Sequence, residues 1–282
     1  MRLLSLLLLA VMTSLMISCS KSSSSPGGGK AAAAFPFGNN DYVGTFTELS
    51  RTYQKPMLLH FGADSSVTAY AVFYLSVNGQ PYLQDSLEGK IVRVGTGNDG
   101  NPAATVYMAA TADTQVWTFT PDYASVNGGS NGLASNQFYA TVLQKAPTKP
   151  ASLENTFWTT DSSKTIANDG YYPDIDGTTF LAGGATEYTQ NGAQLNTGPE
   201  GIPPDQTIKY SYVQTGAMVN FYGAGINPNY VIIPIKYFGV ISPDGNTIIA
   251  DTRDINARLP LEEYGSSEYG EYGNPPEMHK HS

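Results

Sequence analysis

The sequence predicts an all-β protein with two small antiparallel β-barrel or sandwich domains. Glycine and tyrosine are abundant, at 29 and 19 of 282 residues, while only 14% of the residues are charged. This composition is typical of short strands joined by tight turns. No window of ten or more residues shows the apolar spacing of three and four that marks an amphipathic helix. A proline-rich segment in mid-chain, after which the strand pattern restarts, divides the predicted sheets into two domains.

The first 18 residues have the pattern of a secretory signal peptide. Arg2 supplies a positive charge, Leu3 to Val11 is almost entirely aliphatic, and the small Ser18 precedes Cys19, the only cysteine in the sequence. A transmembrane helix is the first alternative, but the apolar run is shorter than the roughly 20 residues that a span requires. The second alternative is an ordinary signal peptide that leaves Cys19 as an unpaired thiol.

The stretch Leu15 to Cys19 resembles the lipobox of Gram-negative bacterial lipoproteins, with Met16 where leucine is usual. The resemblance implies that Cys19 becomes multiply acylated, with chains such as palmitate, after cleavage. Several acyl chains hold a protein stably on a membrane, whereas one holds it only marginally. The expected location is therefore the bacterial cell envelope, with the protein lipid-anchored in the outer membrane.

A flexible tether is expected over residues 19–34, between the anchor and the folded body. Ser22 to Ser25, Gly27 to Gly29 and four alanines dominate it, and such sequences behave as flexible coils. The folded body is expected to begin near Phe35.

The charge balance excludes one class of partner. After loss of Arg2 with the signal peptide, 14 basic and 24 acidic side chains leave a net charge of -10 on 264 residues. A chain this acidic is not expected to bind nucleic acid or anionic lipid headgroups electrostatically.

The first domain is predicted over residues 35–145, because apolar runs alternate there with turn signals. Asn78-Gly79 is the strongest short hairpin signal in the chain. The predicted strands are Met57–Phe61, Val67–Leu75, Lys90–Val94, Thr105–Ala109, Gln115–Phe119 and Phe138–Leu143.

Residues 146–152 are predicted to be a linker, because Pro147 and Pro150 disfavour continued strand pairing. A second β domain is predicted over 153–260, with Pro234 at a bulge or an edge. Residues 261–282 are predicted to be a disordered acidic tail that contains repeated Glu-Tyr-Gly units. The predicted strands of the second domain are Ile208–Val213, Ala217–Tyr222, Tyr230–Ile241 and Thr247–Asp251.

Three short matches raise the question of an internal repeat. Their spacings increase along the chain, as expected if loops of the second copy have lengthened at Gly192 to Asp205, but the matches are too short to decide for or against duplication. The matches are Thr45 with Thr156 (111 residues apart), His60–Ala63 with Thr179–Ala182 (119 apart), and Thr120-Pro121-Asp122 with Ser242-Pro243-Asp244 (122 apart).

A second resemblance concerns the body. Gly44-Thr45-Phe46, followed by a strand that runs through Phe61 into Gly62–Thr68, is similar to the opening of bacterial lipocalin-like domains, and the restart at Leu153 to Trp158 is similar too. Phe46 stands in place of the family's tryptophan, and Asn155 in place of its glycine. The resemblance implies a small antiparallel barrel or sandwich that could hold an apolar ligand.

Two sequence patterns suggest chemistry without its usual context. Gly128-Gly129-Ser130-Asn131-Gly132 matches the G-x-S-x-G pattern of serine hydrolases, but no helix is predicted after it, so we interpret it as a glycine-rich loop. His60 is the only histidine outside the tail that could serve as its base. Gly95 to Gly100 matches a dinucleotide-binding pattern, but a strand follows it, so a hairpin loop is predicted.

No metal site or catalytic site is predicted. His60 has no second ligand near it in sequence, and His279 and His281 lie in the tail. Asp174-Ile175-Asp176-Gly177 lacks the ligand spacing of a calcium loop. Trp117 and Trp158 suggest sugar stacking, although aromatic residues are also common in strands.

The expected function is non-catalytic binding of a small apolar or amphiphilic ligand, or of an envelope partner, by a membrane-anchored lipoprotein without a cofactor. An adhesive or structural surface module and a glycan- or ester-cleaving hydrolase are the alternatives. An apolar cavity would favour ligand binding, filled interiors would favour adhesion, and His60 close to Ser130 would favour hydrolysis.

Overall fold

The structure is a computed structural model, and its described residues belong to one compact unit that begins at Phe35. The predicted signal peptide, Cys19 and the tether lie outside the described residues. No helix within the described ranges is long and apolar enough to cross a membrane. The described residues are 35–48, 54–77, 80–130, 138–160, 177–190, 193–195, 211–226, 232–251 and 277–281.

The first half of the unit is a closed antiparallel barrel in which each strand pairs with the next and the last pairs with the first. The prediction of an all-β fold with an antiparallel barrel is confirmed. The eight strands are β1 (Asn40–Glu48), β2 (Gln54–Phe61), β3 (Ser66–Val77), β4 (Gln80–Thr96), β5 (Pro102–Met108), β6 (Asp113–Phe119), β7 (Ser125–Ser130) and β8 (Phe138–Lys145).

Two predicted hairpins of this barrel are confirmed by the strand register. Val77 pairs with Gln80, so the predicted Asn78-Gly79 pair connects β3 to β4. Thr96 pairs with Pro102, so the glycine-rich segment between them is a hairpin loop and does not lead into a helix.

The prediction of a loop at Gly128 to Gly132 is wrong for its first three residues, which lie in β7. Gly128 and Gly129 have φ values of 144° and 141°, and a Cβ at Gly128 would lie 2.0 Å from the carbonyl oxygen of Val116. Glycine therefore allows β7 to approach β6 more closely than any other residue would. Asn131 and Gly132 lie outside the described residues.

The second half forms one antiparallel sheet in the order β12-β11-β10-β9-β17-β16-β15-β14-β13. Ala185, which directly precedes β11, forms a bridge with Ser211 of β13, the strand at the other side of the sheet. Among the described residues the sheet is therefore nearly closed. Its elements are β9 (Thr156–Thr160), β10 (Gly177–Phe180), a 3₁₀ turn (Ala182–Gly184), β11 (Thr186–Gln190), β12 (Ala193–Leu195), β13 (Ser211–Thr215), β14 (Met218–Ile226), β15 (Ile232–Ile241), β16 (Thr247–Asp251) and β17 (Glu277–Lys280).

The prediction that residues 261–282 are disordered is wrong for Glu277 to Lys280. These residues form β17, which lies between β9 and β16 and pairs with both. The physical reason is that both neighbouring strands present backbone N–H and C=O groups that need partners, while Met278 packs on the core of the second sheet.

The two halves share a turn that is built in the same way. Each turn has a hydroxyl residue, a proline and an aspartate in succession, as the third sequence match predicted, and the hydrogen bonds correspond one by one. The pairs are Thr120 N–H to Ser125 O (3.0 Å) with Ser242 N–H to Thr247 O (2.8 Å), Tyr123 N–H to Thr120 O (2.9 Å) with Gly245 N–H to Ser242 O (2.9 Å), and Ala124 N–H to Asp122 Oδ1 (3.2 Å) with Asn246 N–H to Asp244 Oδ1 (3.0 Å).

The start of each half also corresponds, but not as the first sequence match suggested. Asn39 and Asn155 both have φ near 60°. Each donates its backbone N–H to the carbonyl oxygen of the last residue in the second strand of its half, Phe61 of β2 (2.6 Å) or Phe180 of β10 (2.7 Å). The match of Phe61 with Phe180 is therefore confirmed. Thr156, which follows Asn155, corresponds to Asn40, so its match with Thr45 was wrong.

The correspondence extends to the closing strand. Lys145 at the end of β8 donates its backbone N–H to Ala124 O (2.8 Å), and Lys280 at the end of β17 donates to Asn246 O (2.9 Å). Thus β17 takes the place of β8. In the first barrel β4 pairs with both β3 and β5. In the second sheet two shorter strands share this role, because β12 pairs with β11 and β13 pairs with β14.

A buried apolar cluster joins the two sheets. Val43, Leu58 and Val72 on the outer face of the first barrel pack with Phe238 and Val240 of β15. Strand β8 ends at Lys145 and β9 begins at Thr156, and the intervening segment contributes Ala146 to this cluster. Because the two sheets pack through this shared cluster, the structure does not separate them into independent domains. The predicted domain bounds stay predictions.

Candidate functional site

The interior of the first barrel is occupied by its own side chains. All eight strands contribute buried apolar residues to a single cluster, and aromatic rings make up much of it. At one end Phe37 stacks on Phe119 with ring centroids 4.4 Å apart and meets Phe61 edge-on at 5.4 Å. Further along the barrel interior, a second aromatic group has ring centroids within 5.5 Å of one another: Phe46, Phe73 and Phe138.

Three polar side chains are buried at the opposite end of the first barrel. Lys55 alternates with the inward Met57 and Leu59, is 2% exposed, and donates from Nζ to the carbonyl oxygen of Val72 at 2.5 Å. Its ammonium lies 5.3 Å from the ring centroid of Phe46. Sequence analysis missed this residue, although the alternation of β2 placed it on the inner face.

Gln115 is the second of these polar residues. It is fully buried, and its Oε1 accepts a hydrogen bond from the Trp117 indole N–H at 3.1 Å. Among the described residues its Nε2 has no hydrogen-bond partner. A buried amide nitrogen without a partner reduces stability by about 1–3 kcal/mol, so this end of the barrel is less well satisfied than the end that Phe37 closes.

Ser130 and His60, the candidate nucleophile and base of a serine hydrolase, lie apart. Ser130 ends β7 beside β6, where its hydroxyl hydrogen-bonds to the Asp113 carboxylate and accepts the Phe138 N–H at 3.3 Å. His60 is near the end of β2, on the outer face and at the opposite end of the barrel. Its Nδ1 lies 2.7 Å from the carboxylate of Asp41, so a residue of β1, and not Ser130, orients the His60 ring.

The pair of His60 and Asp41 lies where the two sheets meet. Both side chains are 37% exposed. A Cβ at Gly216, in the hairpin between β13 and β14, would lie 3.8 Å from the second oxygen of Asp41. Beside Gly216, Gln214 donates to Ala151 O (2.8 Å) and accepts from Leu153 N–H (3.0 Å). The junction is therefore polar along this edge.

The tail histidines lie on and just after β17. The hydroxyl of Thr247 is 3.5 Å from Nδ1 of His279, and the ring of His281 lies 5.7 Å from that of Phe157. Among the described residues, no group of three histidine, cysteine or acidic side chains is arranged to hold a metal ion. Asp174 and Asp176 lie outside the described residues.

Neither tryptophan is available to stack on a sugar. Trp117 and Trp158 are buried in the two cores. Tyr107, Tyr139 and Tyr222 are partly exposed, but they belong to three different strands, β5, β8 and β14, and Tyr107 and Tyr139 are three strands apart around the barrel.

A groove with mainly apolar walls lies between the sheets. It has a volume of about 210 Å³, and a β-bulge in β3, where Ala71 and Val72 oppose one residue of β4, forms part of its wall. Bulges redirect side chains and often occur beside binding sites. The remaining lining residues are Tyr70, Asp85, Ser86, Met218, Asn220 and Phe238, none of which sequence analysis singled out.

Two wider clefts lie elsewhere along the junction. One, of about 350 Å³, runs between β1, β8 and the turn at Ser242 and Pro243, with the exposed Val142 in its wall. The other, of about 590 Å³, is more open and lies between Thr148–Glu154 and the hairpin at Gly216. Both have mixed polar and apolar walls.

Comparisons of the chain with protein-family models, with curated proteins and with solved structures found no match.

Proposed function

We propose that this chain is a lipid-anchored envelope protein that binds a protein partner, without catalysis, at the junction of its two sheets. The observation that carries the proposal is the packed interior of the first barrel, which side chains from all eight strands occupy. An eight-stranded barrel either fills its interior with side chains or holds one small ligand. The interior of this barrel is filled with side chains. Binding is therefore expected on outer surfaces.

The groove between β3 and β14 suits a side chain of a partner protein. Pockets for drug-sized ligands span about 300–1,000 Å³, whereas this groove holds about 210 Å³. Interfaces commonly place an aromatic or aliphatic anchor in such a small apolar pocket and surround it with polar residues. Here Tyr70, Met218 and Phe238 supply apolar walls, while Asp85 and Asn220 supply polar groups.

The partner proposal can be tested by site-specific crosslinking in cells. A photo-crosslinking amino acid replaces Asn220, which lines the groove. Ser86→Trp, which fills the groove, should abolish the crosslink to one discrete protein, identified by mass spectrometry. Glu88→Trp is the matched control, because Glu88 is exposed on the same strand and does not line the groove. A crosslink that survives Ser86→Trp, or none at all, would reject the partner site.

The small-ligand alternative makes a different prediction. A bound apolar molecule would appear in the mass spectrum of organic extracts of the purified protein, and a fluorescent lipid probe would bind saturably. We expect neither with the interior packed as it is. Saturable probe binding that Ser86→Trp blocks would instead assign the groove to a small ligand.

Anchoring is proposed from the resemblance of Leu15 to Cys19 to a lipobox. Cys19→Ala should abolish labelling by fatty acids and stop lipoprotein maturation. An intact mass of the wild-type protein that shows an unmodified Cys19 would end this part of the proposal without affecting the partner site.

A further inference from the structure

Strand β17 holds the two parts of the second sheet together. It forms three residue pairs with β9 and three with β16. Without it, the ladder of the described strands separates into two four-stranded meanders, β9 to β12 and β13 to β16, joined only by the bridge between Ala185 and Ser211. The second sheet is therefore complete only when a strand fills the slot between β9 and β16.

The hold on β17 is weak compared with that on its counterpart. Within β17, Met278 alone packs against the core, and it is half-buried, while Lys280 is exposed. In contrast, β8 buries Phe138, Ala140 and Leu143. Burying one large apolar side chain fully contributes about 1.5–3 kcal/mol. Release of β17 therefore loses a fraction of one such contribution, a few backbone hydrogen bonds and polar side-chain contacts such as that between Thr247 and His279. Release of β8 opens an apolar core.

The chain that leads to β17 is much longer than the position of the strand requires. Residues 252–276, 25 in number, connect β16 to β17, while residues 131–137 connect β7 to β8. Adjacent strands are about 4.8 Å apart. Fully extended, 25 residues reach about 80–90 Å, so the connection is long enough to carry β17 into a neighbouring molecule.

We propose that the slot between β9 and β16 is a strand-exchange site whose external partner is the C-terminal strand of a second copy of this chain. Two copies exchange β17 reciprocally, and each completes the second sheet of the other. Every copy carries both the slot and the strand that fits it, so the exchange closes as a symmetric pair. This self-association goes beyond the binding of an envelope partner and uses a different part of the surface.

The energetics of this exchange depend on concentration. The strand makes the same contacts in its own slot and in that of a second copy, so the difference lies in chain entropy. A tethered strand behaves as if present at a millimolar effective concentration. Exchange should therefore become substantial as the protein concentration approaches about 1 mM, which a surface crowded with anchored copies favours more than dilute solution does.

The test uses single cysteines in a chain that carries Cys19→Ser. Thr247 and His279 face each other across β16 and β17. A Thr247→Cys variant mixed with a His279→Cys variant can form the disulfide of that pair only if the strand of one molecule lies in the slot of another. We expect the mixed dimer on non-reducing gels, with its fraction rising steeply towards 1 mM. Peptide mapping should show that the disulfide joins the two substituted positions.

The equivalent pair in the first barrel is the control. Ser125 and Gln144 occupy the same positions in β7 and β8, and a mixture of Ser125→Cys and Gln144→Cys should give no mixed dimer. The oxidised double variant Thr247→Cys/His279→Cys should stay monomeric at all concentrations, because its strand is locked in its own slot. A yield from the β16–β17 mixture no higher than that from the β7–β8 mixture would overturn the proposal.

Discussion

The closing strands of the two sheets occupy the same position in the same meander, yet they close very different structures. Strand β8 is eight residues long and contributes three buried side chains to the first barrel, whereas β17 is four residues long and contributes one half-buried methionine. Both end in a lysine whose backbone N–H makes the same hydrogen bond. The two sheets therefore share the backbone pattern of the meander, although the packing of the closing strand is much smaller in the second sheet.

The two sheets also differ at the position of the fourth strand. In the first barrel, β4 runs unbroken and changes partner from β3 to β5 along its length. In the second sheet, residues 196–210 separate β12 from β13 at the point where the partner changes. A long strand can be interrupted there without losing either ladder, because each part needs only one neighbour.

The largest expected effect tests how closely the first barrel is packed. Gly128→Ala would place a Cβ 2.0 Å from Val116 O at a φ of 144°, so strain and overpacking together should destabilise the protein by roughly 2–6 kcal/mol. In the second sheet Ala250 occupies the corresponding position. Gly95→Ala is the control, since a Cβ there meets nothing within 4 Å. Equal urea midpoints for the two variants would contradict the packing described.

The next effect compares the two closing strands at matched positions. Leu143 pairs with Val126 across β7 and β8, and Met278 pairs with Ile248 across β16 and β17. Leu143→Ala should cost about 2–5 kcal/mol, because it opens a cavity in a closed core. Met278→Ala, at a half-buried site, should cost about 1 kcal/mol. Urea unfolding measures both, and a larger loss for Met278→Ala would reverse the ranking of the two strands.

A smaller effect distinguishes Tyr42 from Trp158, which takes its place in the second sheet. Tyr42 donates its hydroxyl to Tyr123 O at 3.1 Å, and burial, with a smaller effect of Tyr123, raises the pKa of Tyr42 to about 12. Tyr42→Phe should cost about 0.5–1.5 kcal/mol. Because the pKa is raised on folding, the stabilisation is complete below pH 10 and is lost as the pH rises towards 12.

The measurement is urea unfolding of the wild-type protein and of Tyr42→Phe between pH 8 and pH 11. The stability of the wild type should decline more steeply above pH 10 than that of the variant. Parallel curves would show that Tyr42 ionises as freely in the folded protein as in the unfolded chain.

The smallest effect concerns acid. Hydrogen bonds, chiefly from the side chains of Ser66, Asn101 and Thr120, lower the pKa of Asp64, Asp99 and Asp122 in the first barrel. In the second sheet, Ser242 has the same effect on the pKa of Asp244. A lowered pKa stabilises the fold above about pH 4, and this stabilisation is lost as the pH falls through the folded-state value.

The difference can be measured by urea unfolding at pH 7 and pH 3. The variant with Asp64→Asn, Asp99→Asn and Asp122→Asn should lose less stability on acidification than the wild type does. Asp244→Asn should change the acid response less than the triple variant does. Identical acid responses of the wild type and the triple variant would show that these turns do not contribute to it.

The fold class followed from features that act locally. Tight turns such as Asn78-Gly79 and Thr120-Pro121-Asp122 are recognisable because their own residues determine their geometry. Strand β17 could not be found in this way, since only two strands that are distant in the sequence give Glu277–Lys280 a reason to be extended. Strand β7 was missed for the opposite reason, because glycines that suggest a loop serve here for close approach to β6.

The candidate groove was beyond sequence analysis altogether. Its walls come from Tyr70 and Val72 on one sheet and Met218 and Phe238 on the other, and no local pattern indicates that these surfaces meet. Sequence analysis named His60 as the only possible base for Ser130 outside the tail, but it could not give the distance between them. That distance depends on the end of the barrel at which each strand terminates. Of these residues, only the buried position of Lys55 could have been predicted from the sequence, because Lys55 occupies an inward position of an alternating strand.

Phe37 gives the first barrel a mechanical role. It precedes the first strand, and its ring is stacked on Phe119 and touches Phe61, while Asn39, two residues later, is hydrogen-bonded to Phe61 O. Tension on the chain ahead of residue 35 therefore reaches the folded body through an aromatic stack inside a closed barrel. Such a load would therefore act first on the first barrel, in which Phe37 is buried.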